Sequence, residues 1–179
     1  METTQNKPSE KLISQLKNLE NGNNAEVLTA IKIIRDEGNE AAIPFLVKTL
    51  VKNPDQDIKN EISYLLFDLK NEKALPPLIL AIHNPENKEY RRLLISACWE
   101  SGLNCSPYLK IFVHMAVASD YLETIECLTV IENMIGPFNP GDLDESIIIA
   151  RDAADEDEAR FDLLNSIWEV LVDLKAESE

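Results

Sequence analysis

Glycine is scarce in this chain, with only five among 179 residues. Glycine supplies the backbone conformations that hairpins, β-bulges and phosphate-binding loops require. The sequence also lacks the sustained alternation of apolar and polar residues that a half-buried strand would show. These two absences argue against a sheet-rich or nucleotide-binding fold and favour a helical protein.

Long apolar runs are also missing. The first residues, from Met1 to Lys7, are polar and contain no apolar core of a secretory signal. No run of about 18 apolar residues could cross a bilayer. The cysteines Cys98, Cys105 and Cys127 are odd in number and lack CxxC spacing, so we expect small buried side chains in a reducing compartment. A cytoplasmic protein without membrane contact is therefore expected.

Basic residues are outnumbered, with 17 lysines and arginines against 32 acids and a net charge of −15. The acidity is concentrated near the end, because residues 139–179 carry 13 acids and three bases, a net charge of −10. Such a chain repels phosphate backbones and acidic lipid surfaces. We expect neither nucleic acid nor membrane as a partner.

Residues that carry chemistry are few and scattered. His83 and His114 stand alone, whereas a zinc site needs three or four convergent ligands. No histidine lies near Cys98 or Cys105 in the sequence to activate a thiol, and no glycine-rich loop could hold a nucleotide. The sequence therefore predicts a protein that is not an enzyme and that holds no cofactor and no metal.

A repeat organises the chain between Ile33 and Gly102. The segment 33–36 (Ile-Ile-Arg-Asp) is followed six residues later by 43–46 (Ile-Pro-Phe-Leu). The same arrangement recurs 32 residues on, at 65–68 (Leu-Leu-Phe-Asp) and 75–78 (Leu-Pro-Pro-Leu). A period of this length is typical of stacked repeats. The pattern predicts a short helix, a tight turn and a second short helix, four times over.

Residues with capping preferences mark the ends of the predicted helices. Ser9, Asn39, Asn71 and Ser106 are the expected N-caps, the last followed by a proline at the first helical position. Gly22 is expected to end the first helix in the left-handed conformation that favours glycine. The fourth helix is expected to include Leu69, and the sixth to include Tyr90.

The proline- and glycine-rich segment 136–141 ends the repeats. Asp142 and Glu145 resemble a capping box, and the acidic run 155–158 suits the start of a last helix over 161–174. We interpret residues 139–179 as an acidic helical cap of the same domain as a repeat region over 9–138. The open alternative is an independent acidic tail that docks elsewhere. Residues 1–8 are expected to be disordered.

The repeats resemble those of the HEAT family. An apolar residue followed by a base opens the second helix at Ile58-Lys59 and again at Tyr90-Arg91, and prolines lie near the start of first helices at Pro44 and Pro77. The resemblance is clearest over residues 24–118. It implies a small stand-alone, armadillo-like α-solenoid: an all-α, right-handed superhelix of about four helix pairs plus a C-terminal capping pair. It also implies a concave surface lined by second helices.

Candidate binding residues follow from that implied surface. Trp99, Tyr64, Phe67 and Arg92 belong to residue types that often anchor interfaces. Acids recur beside them every 32 residues, at Asp36, Asp68 and Glu100, with Glu132 continuing the series. The alternative is that Phe67 and Trp99 pack between neighbouring repeats and that the acids are simply solvated.

Two functions remain open at this level. The first is a protein-binding scaffold or adaptor whose concave face holds another protein or a peptide. The partner would carry basic charge complementary to the acids of that face. The second is a regulatory or assembly module that acts through the acidic segment 139–179. The oligomeric state is not predicted.

Overall fold

The computed structural model describes residues 9–178, so the segment 1–8, predicted to be disordered, lies outside the described residues. Within 9–178 there is no strand, and the prediction of an all-α fold is confirmed. Ten helices follow one another there: α1 Glu10–Asn21, α2 Asn24–Glu37, α3 Ile43–Lys52, α4 Gln56–Phe67, α5 Leu75–His83, α6 Arg91–Glu100, α7 Leu109–Ala118, α8 Tyr121–Glu132, α9 Pro140–Glu156 and α10 Phe161–Ser178. None of them is long and apolar enough to cross a membrane.

The helices fall into two compact units that divide between Tyr90 and Arg91. In the first unit α1 packs on α2 and α3, α2 on α4, and α3 on α4 and α5. In the second unit α6 packs on α8, α7 on α8 and α9, and α10 on α8 and α9. Odd-numbered helices are called first helices below, and even-numbered ones second helices. Within each unit this is the predicted stacking of helix pairs. The handedness and the domain limits at 138 and 139 remain predictions.

Asparagine side chains start the repeats in a regular way. The Oδ1 atoms of Asn39, Asn71 and Asn104 each accept from the backbone N–H two residues later, at 3.0, 3.0 and 3.1 Å. Each bond opens a short 3-10 turn that leads into the next first helix. Asn39 and Asn71 therefore cap as predicted, but Ser106 does not. Ser106 lies inside the turn, where its own N–H needs the acceptor that Asn104 provides.

Two glycines that end helices, Gly22 and Gly38, lie very close to the backbone of the preceding helical turn. Gly22 has φ −74°, so the predicted left-handed cap is wrong. A Cβ atom there would lie 2.6 Å from the Asn18 carbonyl oxygen, and one at Gly38 would lie 2.3 Å from that of Ile34. These positions need glycine because any side chain would collide with the preceding turn.

Two predicted helix limits are wrong by one or two residues. The fourth helix ends at Phe67, before Leu69, because Asp68 leaves the helical conformation, with φ −103° and ψ 18°, and its N–H is shared between the Tyr64 and Leu65 carbonyl groups. Tyr90 lies in a 3-10 turn, Pro85–Tyr90, that precedes α6. The predicted capping box is also wrong. Asn139 is the N-cap of α9, and Asp142 is the residue whose N–H it accepts, at 3.1 Å.

Each unit has its own apolar core. Fully buried side chains include Ile31, Leu50 and Leu66 in the first unit, and Phe112 and Leu164 in the second. Burying such a side chain stabilises the fold by roughly 1.5–3 kcal/mol. The three cysteines are free and buried in the second unit, which confirms their expected packing role.

Candidate functional site

The predicted binding residues are distributed over both units. Asp36, Tyr64, Phe67 and Asp68 lie in the first unit, and Arg92, Trp99 and Glu100 lie in the second. Tyr64 is 60% exposed, and the charged residues are exposed as well, whereas Phe67 and Trp99 are half-buried. Each unit therefore has its own candidate surface on its second helices.

One face of α6 carries Arg92, Ser96 and Trp99, which are spaced by about one helical turn each. The Trp99 indole N–H donates to a carboxylate oxygen of Glu126 on α8, at 2.9 Å. The Ser96 hydroxyl donates to the same oxygen at 2.8 Å. Glu126 therefore joins two second helices and holds the Trp99 ring in place.

A similar bond joins second helices of the first unit. The Arg35 guanidinium on α2 donates to the carboxylate of Glu61 on α4 at 3.4 Å, and to its backbone oxygen at 3.3 Å. Glu61 follows Arg35 by 26 residues, and Glu126 follows Trp99 by 27. Neither acid was predicted from the sequence. Arg35 and Trp99 lie 64 residues apart, which is two repeat periods, and the near-constant distance of the two acids behind them is the signal that could have identified these acids.

Large apolar side chains are exposed on α8 close to Glu126. Tyr121 is 54% exposed, Leu122 is 52% exposed and Ile125 is 36% exposed. Leu122 lies one helical turn before Glu126, and Ile125 directly precedes Glu126 in the sequence. We call Arg92, Trp99, Tyr121, Leu122, Ile125 and Glu126 the α8 surface. Its apolar part was missed because α8 already has a complete buried face, formed by Cys127, Val130 and Ile131.

The residues around the α8 surface are mainly acidic. Helix α8 contains three glutamates and no base. One of them, Glu123, is buried and pairs with Arg91 at 3.5 Å. Residues 91–179 contain 18 of the 32 acids but only six of the 17 bases. Arg92 is an exposed cation on the α8 surface itself.

The same carboxylates act on a buried thiol. Burial raises the pKa of Cys127 to about 12, and the charges of Glu123 and Glu126 add to this shift. In the first unit, the Lys70 ammonium lies 2.6 Å from Asp68 and lowers the pKa of that carboxyl group. Asp68 is therefore an ion-paired end of α4.

The lysine and arginine that open second helices have structural partners. The Lys59 ammonium donates to the Tyr90 hydroxyl at 2.6 Å and lies 5.3 Å from the centre of its ring, which raises the pKa of Lys59. The partner of Lys59 is therefore a phenol. The partner of Arg91 is an acid, Glu123. Among residues 9–178 no group of three or more His, Cys, Asp or Glu is arranged to hold a metal ion.

Comparison with solved structures places the chain beside a designed armadillo repeat protein in complex with the peptide (KR)4. The two share 16% sequence identity and a TM-score of 0.47, over 92% of this chain and 81% of that one. No protein-family model matches the chain, and no curated protein matches it.

Proposed function

We propose that this protein is a non-enzymatic scaffold that binds a polypeptide partner on the α8 surface. The observation that carries the proposal is the exposure of Tyr121, Leu122 and Ile125 on the helix whose Glu126 accepts the half-buried Trp99 indole N–H. Contiguous exposed apolar side chains in a polar surround are typical of protein-binding sites. Tryptophan, tyrosine and arginine, which all occur here, are the most frequent energetic anchors of interfaces.

The Trp99–Glu126 hydrogen bond indicates that the Trp99 ring is already held in one orientation before a partner binds. A ring already oriented by a hydrogen bond loses less rotational freedom when a partner covers it. The hydrogen bond also satisfies the indole N–H, so a partner can cover the ring without leaving a donor unpaired. Trp99 thereby combines both alternatives raised by the sequence: it packs between second helices and keeps part of its ring accessible.

The charge of the surroundings favours a basic partner. Glu100, Asp120 and Glu132 are exposed on α6 and near α8, whereas Arg92 is the base that faces solvent on the α8 surface. Complementary charge speeds association and selects against acidic partners. The partner is therefore a segment with apolar side chains flanked by lysine or arginine. In the first unit, Tyr64 with Asp36 and Asp68 offers a smaller surface of the same character.

The acidic segment 139–179 is the alternative site of action. Its helices α9 and α10 bury Leu143, Ala150, Leu164 and Leu171, and α9 packs against α7. A segment that contributes this much to a core supports a capping role in preference to an independent tail. We therefore rank the regulatory or assembly function through residues 139–179 second.

The test measures partner capture by the full chain and by surface variants. The double variant Leu122→Ser with Ile125→Ser removes exposed apolar groups, so its fold should persist by circular dichroism. Proteins retained from the source lysate by the native chain should be lost with this variant, and basic ones should dominate. Ile148→Ser is the matched control, because Ile148 is 51% exposed on a first helix of the same unit.

Two results would oppose the proposal. Equal retention by the native chain and by the double variant would move binding away from the α8 surface. Retention that disappears on deletion of residues 139–179, while α6 to α8 stay folded, would favour the alternative function.

A further inference from the structure

A groove on the opposite set of helices is not used by the proposed function. It lies in the first unit between α3 and α5, which are first helices, and has a volume of about 420 Å³. Most of its lining is apolar: Pro44, Val47, Val51, Pro77, Leu80 and Ala81. Leu80 is 73% exposed, which is high for a leucine in the middle of a helix. The exposed apolar lining marks this groove as a docking surface.

The α3 side of the groove is basic, in contrast to the chain as a whole. Helix α3 carries Lys48 and Lys52 and no acid, and α5 carries no acid either. Lys48 reaches Glu20 at 2.6 Å. Within the described part of the chain Lys52 makes no ion pair, and Glu86 is the acid that lines the groove. The groove therefore suits an apolar ridge with carboxylates along its side.

Helix α10 has such a ridge. Phe161, Trp168 and Val172 are spaced by seven and four residues, so they form one stripe along the helix. Phe161 is 44% exposed, Val172 is 38% exposed and Trp168 is half-buried. This stripe is separate from the buried face of Leu164, Ile167 and Leu171. We call it the α10 ridge.

Carboxylates run beside the α10 ridge. Asp162, Glu169 and Asp173 are exposed and spaced by seven and four residues, as the ridge residues are. A helix that carries an apolar stripe next to an acidic one matches a groove that carries apolar walls next to lysines. The side chains of a helix pack as a ridge into the furrow between two others.

We propose that the groove between α3 and α5 binds the α10 ridge of a second copy of this chain. Leu80 would contact the ridge, and Lys52 would lie opposite Glu169 or Asp173. The occupant is a second copy because the chain itself carries both complementary surfaces. Two chains of charge −15 repel each other at long range, so self-association depends on this local match of charge and shape.

The test is the molar mass of the full chain by sedimentation equilibrium at physiological salt. The concentration should run from about 1 μM to about 1 mM, the range in which small interfaces dissociate. The average mass should rise above that of one chain as concentration increases. Leu80→Ser should abolish the rise. Because Leu80 is mostly exposed, this variant keeps its circular dichroism spectrum.

Charge variants test the predicted orientation of the two surfaces. Lys52→Glu and Glu169→Lys should each weaken self-association at least about tenfold, and both changes in one chain should restore it. Lys73→Glu is the matched control, because this exposed lysine lies outside the groove and should have no effect. A native chain that stays monomeric over the whole range would overturn the proposal. Self-association that survives both Leu80→Ser and Lys52→Glu would overturn it as well.

Discussion

Trp99 and Glu126 are joined by a 2.9 Å hydrogen bond that connects α6 to α8. The acceptor oxygen also receives the Ser96 hydroxyl. One carboxylate thus satisfies two donors from the neighbouring helix. The bond fixes the geometry of the proposed binding surface, and it should contribute measurably to the stability of the second unit.

Replacing Glu126 by alanine should destabilise the second unit. The change leaves the half-buried indole N–H without its acceptor, which costs about 1–3 kcal/mol of the free energy of unfolding. Glu126→Gln should cost less, since its amide oxygen still accepts. Urea unfolding followed by tryptophan fluorescence measures both. Glu132→Ala, at an exposed acid on the same helix, is the control, and an equal effect there would contradict the role assigned to Glu126.

Arg160 attaches the start of α10 to the end of α7. Its Nη1 atom donates to the carbonyl oxygens of Ala116 and Ser119, at 3.1 and 2.6 Å, and to the Thr124 hydroxyl at 3.1 Å. Its Nη2 atom donates to the carbonyl oxygen of Val117 at 3.0 Å. Helix C-termini present unpaired carbonyl groups and partial negative charge, both of which a guanidinium satisfies.

Arg160→Met should therefore cost at least about 3 kcal/mol of the free energy of unfolding of the second unit, because several hydrogen bonds to a charged group are lost together. Arg160→Lys should recover little, since an ammonium cannot reach all these acceptors at once. Arg151→Met is a matched control, because Arg151 is exposed and pairs with the adjacent Asp152. Thermal unfolding by circular dichroism would rank the variants. Similar losses for Arg151→Met and Arg160→Met would contradict this account.

Removing the Ser146 hydroxyl group should stabilise the second unit. Its hydroxyl oxygen is buried on α9 and has no hydrogen-bond partner among the described residues. Ser146→Ala should raise the free energy of unfolding by about 1 kcal/mol, since the desolvated hydroxyl no longer has to be buried. Ser166→Ala, where the hydroxyl bonds to the Asp162 carbonyl, should give no such gain. Denaturant unfolding compares the two, and a less stable Ser146→Ala chain would show that the hydroxyl is satisfied.

Alkaline pH should destabilise the second unit through Cys127. Its pKa in the folded chain is raised from about 9.0 to about 12, mainly by burial. The unfolded thiol ionises first as pH rises, so the stabilising contribution is complete below pH 9 and is lost between pH 9 and about 12. Between about pH 8 and about pH 11, the native chain should lose about 3 kcal/mol more of its free energy of unfolding than Cys127→Ser.

Unfolding by urea at the two pH values measures this difference. Serine does not ionise in this range, so the variant reports every other alkaline effect. The same slope in both chains would mean that the folded thiol ionises as readily as the unfolded one. A thiol reagent gives an independent readout, because a buried neutral thiol reacts slowly until the chain unfolds.

The repeat and its capping residues were sufficient to predict the helix pairs. Apolar spacing identifies which side chains share a face of their own helix, and Asn39 and Asn71 act on N–H groups only two residues away. Such short-range effects are legible in a single sequence. Errors arose where a local pattern had competitors. Ser106 and Asp142 have capping chemistry, but Asn104 and Asn139 lie nearer to the free N–H groups.

The candidate site was also only partly predictable from the sequence. The sequence alone determined that Trp99, Arg92 and Tyr64 lie off the buried faces of their helices, because that follows from helical periodicity. Only the tertiary structure decided that Trp99 meets Glu126, that Leu122 and Ile125 stay exposed, and that Arg160 reaches the end of α7. Those relationships depend on how neighbouring helices are placed, and contacts made across 27 or more residues are not specified by the periodicity of either helix.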